Sequence, residues 1–278
     1  MAGMRTPAFV MPRVAAIAFG PEKERPRNLA TLTGVTIAGG FFLVTAKHVV
    51  DCAAAQQFPW RMLLPGRDRE ERFVEGFALL PEVFPLSRTD ILWKSPSSDV
   101  AILKAPSGLK MESFDGDRAV YLARQCRETW DVAATHDAYR MVAVAGFPSF
   151  ARDLGPERPL YGLMSLPGFI VHANKTDAAG VSEPKLTLNL GCETLRPDWM
   201  SKPEAATFAR QLEEDVEGRA LAGLSGGPVV SVTDAGLHLV GILYEGTRVL
   251  ATGLAVPWDV IHTAFSDSLG LTLSGASR

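Results

Sequence analysis

The stretch "LAGLSGGPVVSV", residues 221–232, sets Ser225 among glycines and then runs through Pro228 into β-branched residues. Glycine–serine clusters usually form turns, so the meaning of this one depends on the residues beyond it. Pro228 and "VVSV" read as a strand, bounded at its start by the turn. A chain that passes from a bare serine into a strand points to an all-β fold, and the rest of the sequence bears on whether that serine is a nucleophile.

Outward from this turn, strand-like runs recur between Gly, Pro and charged turns: "RVAAIAF", "GVTIAGGFFLVTA", "FVEGFALL", "DVAILKA", "MVAVAGF", "GFIVHA", "KLTLNL", "GPVVSV", "HLVGILY" and "ATGLAVP". Long periodic helices do not alternate with them, which excludes a doubly wound α/β sheet. No repeat of solenoid length is visible. Two segments read as helix. "SKPEAATFARQLEEDVEG", residues 201–218, opens with the capping-box pair Ser201 and Glu204 and has Pro203 in its first turn. Phe208, Leu212 and Val216 share one face, and Gly218 can end it. "PWDVIHTAFSDSLG", residues 257–270, carries an apolar stripe of Val260, Ile261, Ala264, Phe265 and Leu269. The polar, strand-poor stretch 126–140 suits a crossover between two β halves.

The 278 residues are 47% hydrophobic and carry a formal net charge of −3 with no block of like charge. That is enough apolar material for a large core, and it argues against nucleic acid or an anionic membrane as partner. Cys52, Cys126 and Cys192 are odd in number and widely spaced. They suggest neither a disulfide framework nor a zinc site, and a reducing, cytoplasmic setting is expected. "VAAIAFG", residues 14–20, reads as a first strand rather than a signal-peptide core. No run reaches the ~18–20 apolar residues of a membrane span.

Three motifs carry chemistry. "FFLVTAKHVVD" places His48 just after an apolar strand, "SSDVAILKA" places Asp99 at the mouth of another, and "GLSGGP" surrounds Ser225. A serine hydroxyl needs a base to take its proton, and histidine can take it and return it to a leaving group. A carboxylate on the other ring nitrogen fixes the tautomer and stabilises the imidazolium. Glycines beside the serine let backbone N–H groups face a reacting carbonyl, each such donor lowering the barrier by roughly 3 to 4 kcal/mol. Taken singly, a histidine is more often filler, an aspartate before a strand a cap, and an arginine in a turn solvated. The order His, Asp, Ser and the strand context of all three agree with one another.

"TAKHV", "DVAIL" and "GLSGGPV", with "VAVAGFP", "LVGILY" and "TGLAVP", resemble the trypsin-like serine peptidases, especially the bacterial branch related to HtrA proteases. The resemblance runs from about Val14 to Phe265. It implies a single peptidase domain of two six-stranded antiparallel β-barrels, with a C-terminal helix and a helical insertion before the nucleophile loop. The first barrel would span about 10–120, the crossover 121–140, the second barrel 141–256 and the helix 257–270. His48 and Asp99 would come from the first barrel and Ser225 from the second, with the N–H groups of Gly223 and Ser225 as the oxyanion hole. The implied reaction is hydrolysis of a protein or peptide substrate through an acyl-enzyme, with no metal or organic cofactor.

The departures from that family are informative. Leu224 stands where secreted members have the aspartate that pairs with a freed N-terminus, so activation by N-terminal cleavage is not expected. Val49 stands where they have a disulfide cysteine. No PDZ-like segment follows the peptidase part. The helix 203–218 enters the loop that would wall the primary specificity pocket, either as an inert insertion or as a lid or docking surface for a regulatory protein. By position Arg219 would lie at the pocket base and favour an acidic side chain, with Leu243, Tyr244 and Glu245 forming one wall and Gly253 another.

Two rival readings remain at this level. "GLSGG" also fits the G-x-S-x-G elbow of α/β-hydrolases, with partners drawn from Asp234, Asp259, His238 and His262. That elbow must run from strand into helix, which Pro228 and "VVSV" oppose. The other rival is a peptidase fold kept as a non-catalytic binding or regulatory module.

Overall fold

The computed structural model describes residues 9–19, 28–55, 60–64, 77–79, 82–121, 123, 141–148, 160–162, 164–173, 185–190, 222–233, 236–247 and 252–270. The strands of the first half are β1 (Val14–Phe19), β2 (Asn28–Ile37), β3 (Gly40–Thr45), β4 (Trp60–Leu64), β5 (Phe77–Leu79), β6 (Glu82–Leu86), β7 (Ile91–Lys94), β8 (Ala101–Lys104) and β9 (Phe114–Asp115). Those of the second are β10 (Met141–Gly146), β11 (Leu160–Gly162), β12 (Met164–Ala173), β13 (Leu186–Leu190), β14 (Pro228–Thr233), β15 (Gly236–Thr247) and β16 (Thr252–Pro257). Helix α1 (Lys47–Ala55) follows β3, and α2 (Trp258–Leu269) follows β16.

The two halves curl separately. The first sheet runs β6-β4-β1-β2-β3-β8-β7 through antiparallel pairs, with β9 added parallel to β2. The second closes as a six-stranded antiparallel barrel, β10-β12-β13-β16-β15-β14. Two curled antiparallel sheets and a C-terminal helix make the all-β fold expected from the strand pattern and the chymotrypsin-like double barrel that the resemblance implies. The first sheet has eight strands rather than the six anticipated, with β6 and β7 at its ends and the two-residue β9 added beside β2. β5 and β11 form a separate ribbon, so one strand of each half pairs with the other.

Three apolar clusters follow from the period of two along each strand. In β1, Ala15, Ile17 and Phe19 enter the core of the first sheet with Leu32, Leu43, Met62 and Leu103. The alternate residues Val14, Ala16 and Ala18 enter a cluster shared by both halves, with Val35, Ile37, Phe147, Val230, Trp258 and Phe265. The second barrel is filled by Val142, Val144, Leu186, Leu188, Leu190, Val229, Val240 and Leu243 among others. α2 seals the shared cluster. Trp258, Ile261 and Phe265 are fully buried, and the Trp258 indole donates to the Gly116 carbonyl at 2.8 Å. Pro257 precedes its first turn and Gly270, at φ +61°, ends it. This matches the apolar stripe expected for 257–270, with Trp258 added.

"GVTIAGGFFLVTA" is a hairpin. Ala38 and Gly39 turn at φ +49° and +77° between β2 and β3, the positive values that a two-residue type I′ turn requires. The expected helix 201–218 and Arg219 lie outside the described residues, as does the crossover 121–140 apart from Tyr121 and Ala123.

Candidate active site

Register brings His48 and Asp99 together. β3 and β8 pair so that Thr45 lies opposite Ala101. The chain leaving β3 into α1 therefore passes beside the chain entering β8. Asp99 clamps His48 at two points: Oδ1 accepts the His48 backbone N–H at 2.8 Å, and Oδ2 lies 2.6 Å from Nδ1. An ionised carboxylate only accepts, so Nδ1 carries the proton and Nε2 is left as the basic nitrogen. The two side chains are 48% and 29% exposed, so the pair lies near the surface rather than in the core. Burial, the largest single influence on Asp99, raises its pKa. The hydrogen bonds from the His48 ring and backbone, the attraction to His48 and a bond from the Lys47 backbone outweigh it together, and the carboxyl lies below its ordinary 3.8.

The loop before β8 is held by a serine that the motifs did not single out. The Ser95 hydroxyl accepts from the N–H groups of Ser97 (3.3 Å) and Ser98 (2.9 Å), and Ser95 N–H donates to the Val100 carbonyl at 3.0 Å. Such a side-chain-to-backbone turn is what "SPSSD" could have signalled. On α1, Asp51 accepts from Lys47 at 3.0 Å and from Lys94 of β7 at 2.7 Å. The Lys94 and Lys47 hydrogen bonds, in that order, hold the Asp51 carboxyl below its ordinary value. Exposed pairs of this kind contribute only about 0–1 kcal/mol each.

Ser225 lies in a turn closed by the Gly227 N–H donating to the Leu224 carbonyl at 2.8 Å, with Gly226 at φ +89°. That third-position angle is the one type II turns reserve for glycine. Glycine is required a second time, because a Cβ on Gly226 would lie 2.0 Å from the Thr31 carbonyl and 2.2 Å from the Thr45 hydroxyl. Leu224 is fully buried in the second barrel's core and anchors the turn. Gly223, at φ +98°, precedes it. The N–H groups of Gly223 and Ser225 have no hydrogen-bond partner among the described residues, whereas those of Gly226 and Gly227 are both used.

The Ser225 hydroxyl donates to the Tyr244 carbonyl at 3.1 Å rather than to His48. The structure thus joins His48 to Asp99 and parks the serine on β15. Of the residues expected to line a pocket, Leu243 is buried in the barrel core and Gly253 lies against it and Leu190. Tyr244 is half-buried and Glu245 exposed. His262 lies 3.0 Å from Asp117, Asp259 is in the first turn of α2, and His238 faces Ser231 across β14 and β15. With a strand after Ser225 and two curled, mainly antiparallel sheets, no α/β-hydrolase sheet occurs among the described residues; Asp234 lies outside them.

The sequence motifs also leave out Thr31, Thr33 and Thr45, all fully buried. Thr31 N–H donates to the Ser225 carbonyl at 2.9 Å and the Thr33 hydroxyl to the Gly226 carbonyl at 2.7 Å, while the Thr45 hydroxyl donates to the Thr31 carbonyl at 2.8 Å. These three seat the serine turn of the second half on strands of the first. No group of three or more His, Cys, Asp or Glu side chains arranged to hold a metal occurs among the described residues. No described helix is long and apolar enough to cross a membrane.

Comparison with protein-family models and with curated protein sequences finds no match. Among solved structures, the serine endoprotease of Yersinia pestis is similar with a TM-score of 0.50 at 13% sequence identity, covering 96% of this chain and 66% of that one. The fold is that of the trypsin-like serine proteases. At this identity the likeness is one of fold, and the chain spans about two thirds of the Yersinia protein's length. The Rv3671c protease of M. tuberculosis, in its active form, is also similar, with a TM-score of 0.46 at 17% identity, covering 98% of this chain and 84% of that one. Within a trypsin-like fold, the clamped histidine and the glycine-flanked serine lie on opposite sides of the junction between the halves.

Proposed function

We propose that this chain is a serine endopeptidase. The observation that carries the reading is the doubly held His48–Asp99 pair on one half, together with a serine turn on the other that packs against Thr31 and Thr45 and has two N–H groups without partners among the described residues. In the proposed reaction Ser225 Oγ turns from the Tyr244 carbonyl to His48 Nε2, gives it the proton and bonds to the scissile carbonyl carbon. The N–H groups of Gly223 and Ser225 hold the resulting oxyanion. His48 returns the proton to the departing amine, leaving an acyl-ester on Ser225. Water then repeats the sequence and releases the acid and the free hydroxyl.

A peptide substrate is supported by the edge of β15. β14 pairs with it only as far as Ile242, and Gly226 and Gly227 bond Leu243. On that side Glu245, Gly246 and Thr247 have no strand partner among the described residues, which leaves an edge beside Ser225 for an added strand. Arg219, Tyr244, Glu245 and Gly253 are proposed to set the preference for the residue before the cut. Control by a protein partner or by the 203–218 segment is proposed in place of N-terminal cleavage, because Leu224 is buried where a charge would pair. The exposed free thiol of Cys52 agrees with a reducing, cytoplasmic setting.

A fluorophosphonate probe, read by intact mass, tests the proposal. The expected result is one label per chain, lost in Ser225→Ala and in His48→Ala, with peptide cleavage lost in parallel. The hydroxyl parked on Tyr244 favours a second reading, a peptide-binding module without turnover. That reading predicts peptide binding, no label, and no effect of Ser225→Ala.

A further inference from the structure

We infer that Thr31 is a positioning residue for the oxyanion-binding donors of the Ser225 turn; this rests on the serine-endopeptidase reading. All four polar functions of this fully buried residue are used at the junction of the two halves. Its N–H donates to the Ser225 carbonyl at 2.9 Å, and its carbonyl accepts from the Thr45 hydroxyl at 2.8 Å. Its hydroxyl lies 2.9 Å from the Gly223 carbonyl and 3.0 Å from the Phe147 backbone nitrogen. The direction of the proton is fixed, because Phe147 N–H can only donate and the Gly223 carbonyl can only accept. The hydroxyl therefore accepts from Phe147 and donates to Gly223.

One residue thus holds the carbonyls of both Gly223 and Ser225, the two residues whose own N–H groups are left without partners among the described residues. Gly223 needs such a hold. At φ +98°, with no side chain and next to the exposed Ala222, it can rotate its flanking peptides at little cost. Fixing its carbonyl removes one of those rotations before substrate arrives. The seat is shaped for the hydroxyl, since a Cβ on Gly146 would come within 2.5 Å of Thr31 Oγ1. A threonine that only filled the core would not require a glycine beside its hydroxyl.

The test compares Thr31→Val, which keeps shape and removes the hydroxyl, with Thr31→Ser, which keeps the hydroxyl. Met62→Ala, a cavity variant in the core of the first sheet, serves as a destabilised control. Turnover of a fluorogenic peptide, affinity for a peptide boronate that mimics the tetrahedral state, and melting temperature are measured for each. In Thr31→Val the expected result is a fall in kcat of roughly 10- to 100-fold with KM within twofold, since a misplaced donor costs on that order. Boronate affinity falls in proportion to kcat/KM, and Thr31→Ser restores both to within about threefold of the parent. Equal kcat in Thr31→Val and the parent, or a loss that serine does not restore, overturns the inference. So does a loss that Met62→Ala shares. Should Thr31→Val not fold, Thr31→Cys keeps the volume with a weaker donor: a lowered kcat at unchanged KM supports the role and parental kcat overturns it. If the parent protein itself shows no Ser225-dependent labelling or turnover, the endopeptidase reading fails and the inference with it.

Discussion

The hydroxyl of Ser225 rests on the carbonyl of Tyr244, the residue that a bulge between Leu243 and Glu245 leaves out of the β15–β16 ladder. At this bulge the carbonyl accepts the serine hydroxyl. Because this bond is a neutral one at a partly exposed site, it contributes little to folding. Ser225→Ala will stay folded, with a melting temperature lowered by less than about 5 °C, the shift that a net 0.5–1.5 kcal/mol makes in a chain of this size. The same variant will lose peptide turnover by about 10⁶-fold. A thermal melt beside a fluorogenic peptide assay checks both, and a large drop in melting temperature would show that the serine is structural.

The Asp99–His48 clamp makes a pH-dependent contribution to stability. The Asp99 pKa is lowered in the folded protein, so the folded state favours the carboxylate. Its contribution is present above the unfolded-chain value near 3.8 and is lost as pH falls through the lower folded value. Asp99→Asn will therefore be less stable than the parent at pH 7, and the gap will narrow at a pH below 3.8. Denaturant melts at both pH values measure it; a gap that is constant with pH would contradict the lowered pKa. At neutral pH the variant will also lose activity by about 10⁴-fold, because an amide no longer selects the tautomer with the Nδ1 proton.

Gly226 and Gly39 both have positive φ but differ in their surroundings. A Cβ on Gly226 meets backbone and hydroxyl oxygens of Thr31 and Thr45 at 2.0 and 2.2 Å, while one on Gly39 meets nothing within 4 Å. Gly39→Ala will cost about 1–2 kcal/mol from the left-handed backbone alone. Gly226→Ala adds overpacking to that strain and will cost about 2–5 kcal/mol. Urea unfolding of the pair separates strain from clash.

Ala38 is a non-glycine residue with positive φ, at +49° in the β2–β3 turn, and its N–H donates to Asp117. Asparagine tolerates the left-handed region better than alanine. Ala38→Asn keeps the N–H and makes the turn Asn-Gly, the preferred type I′ sequence. It will raise stability by about 0.5–1 kcal/mol, readable as a higher denaturant midpoint at unchanged slope. A lowered midpoint would mean that the conformation of this turn is not type I′.

What the sequence reveals depends on how local the signal is. Pro257 and Gly270 bracket α2 as their backbone preferences dictate, and β1 is legible as a short, wholly apolar run bounded by turns, which suits a strand buried on both faces. α1 shows in the sequence only as the end of a strand, since nine residues starting "KHVV" carry no cap or long period. Pro85 hides β6, although a strand tolerates proline at a sheet edge, where β6 lies. His48, Asp99 and Ser225 stand out because chemistry restricts their residue types and glycines mark the turn. Thr31, Thr33 and Thr45 do not, because threonine is an ordinary strand residue. The roles of Thr31 and Thr33 arise from contacts across nearly two hundred residues of chain, which no short window contains.

The seating of the Ser225 turn on β2 has a consequence for the life of the chain on the ribosome. His48, Asp99 and the threonines emerge first and can fold as a sheet, but the turn that completes the site comes much later. At synthesis rates of about 5–20 residues per second, about nine to thirty-five seconds separate His48 from Ser225. Throughout that interval the early half exposes a seat of buried hydroxyls with nothing in it. On the proposed reading the catalytic site is therefore a late product of docking, and a nascent chain cannot cut its neighbours before Ser225 has been made.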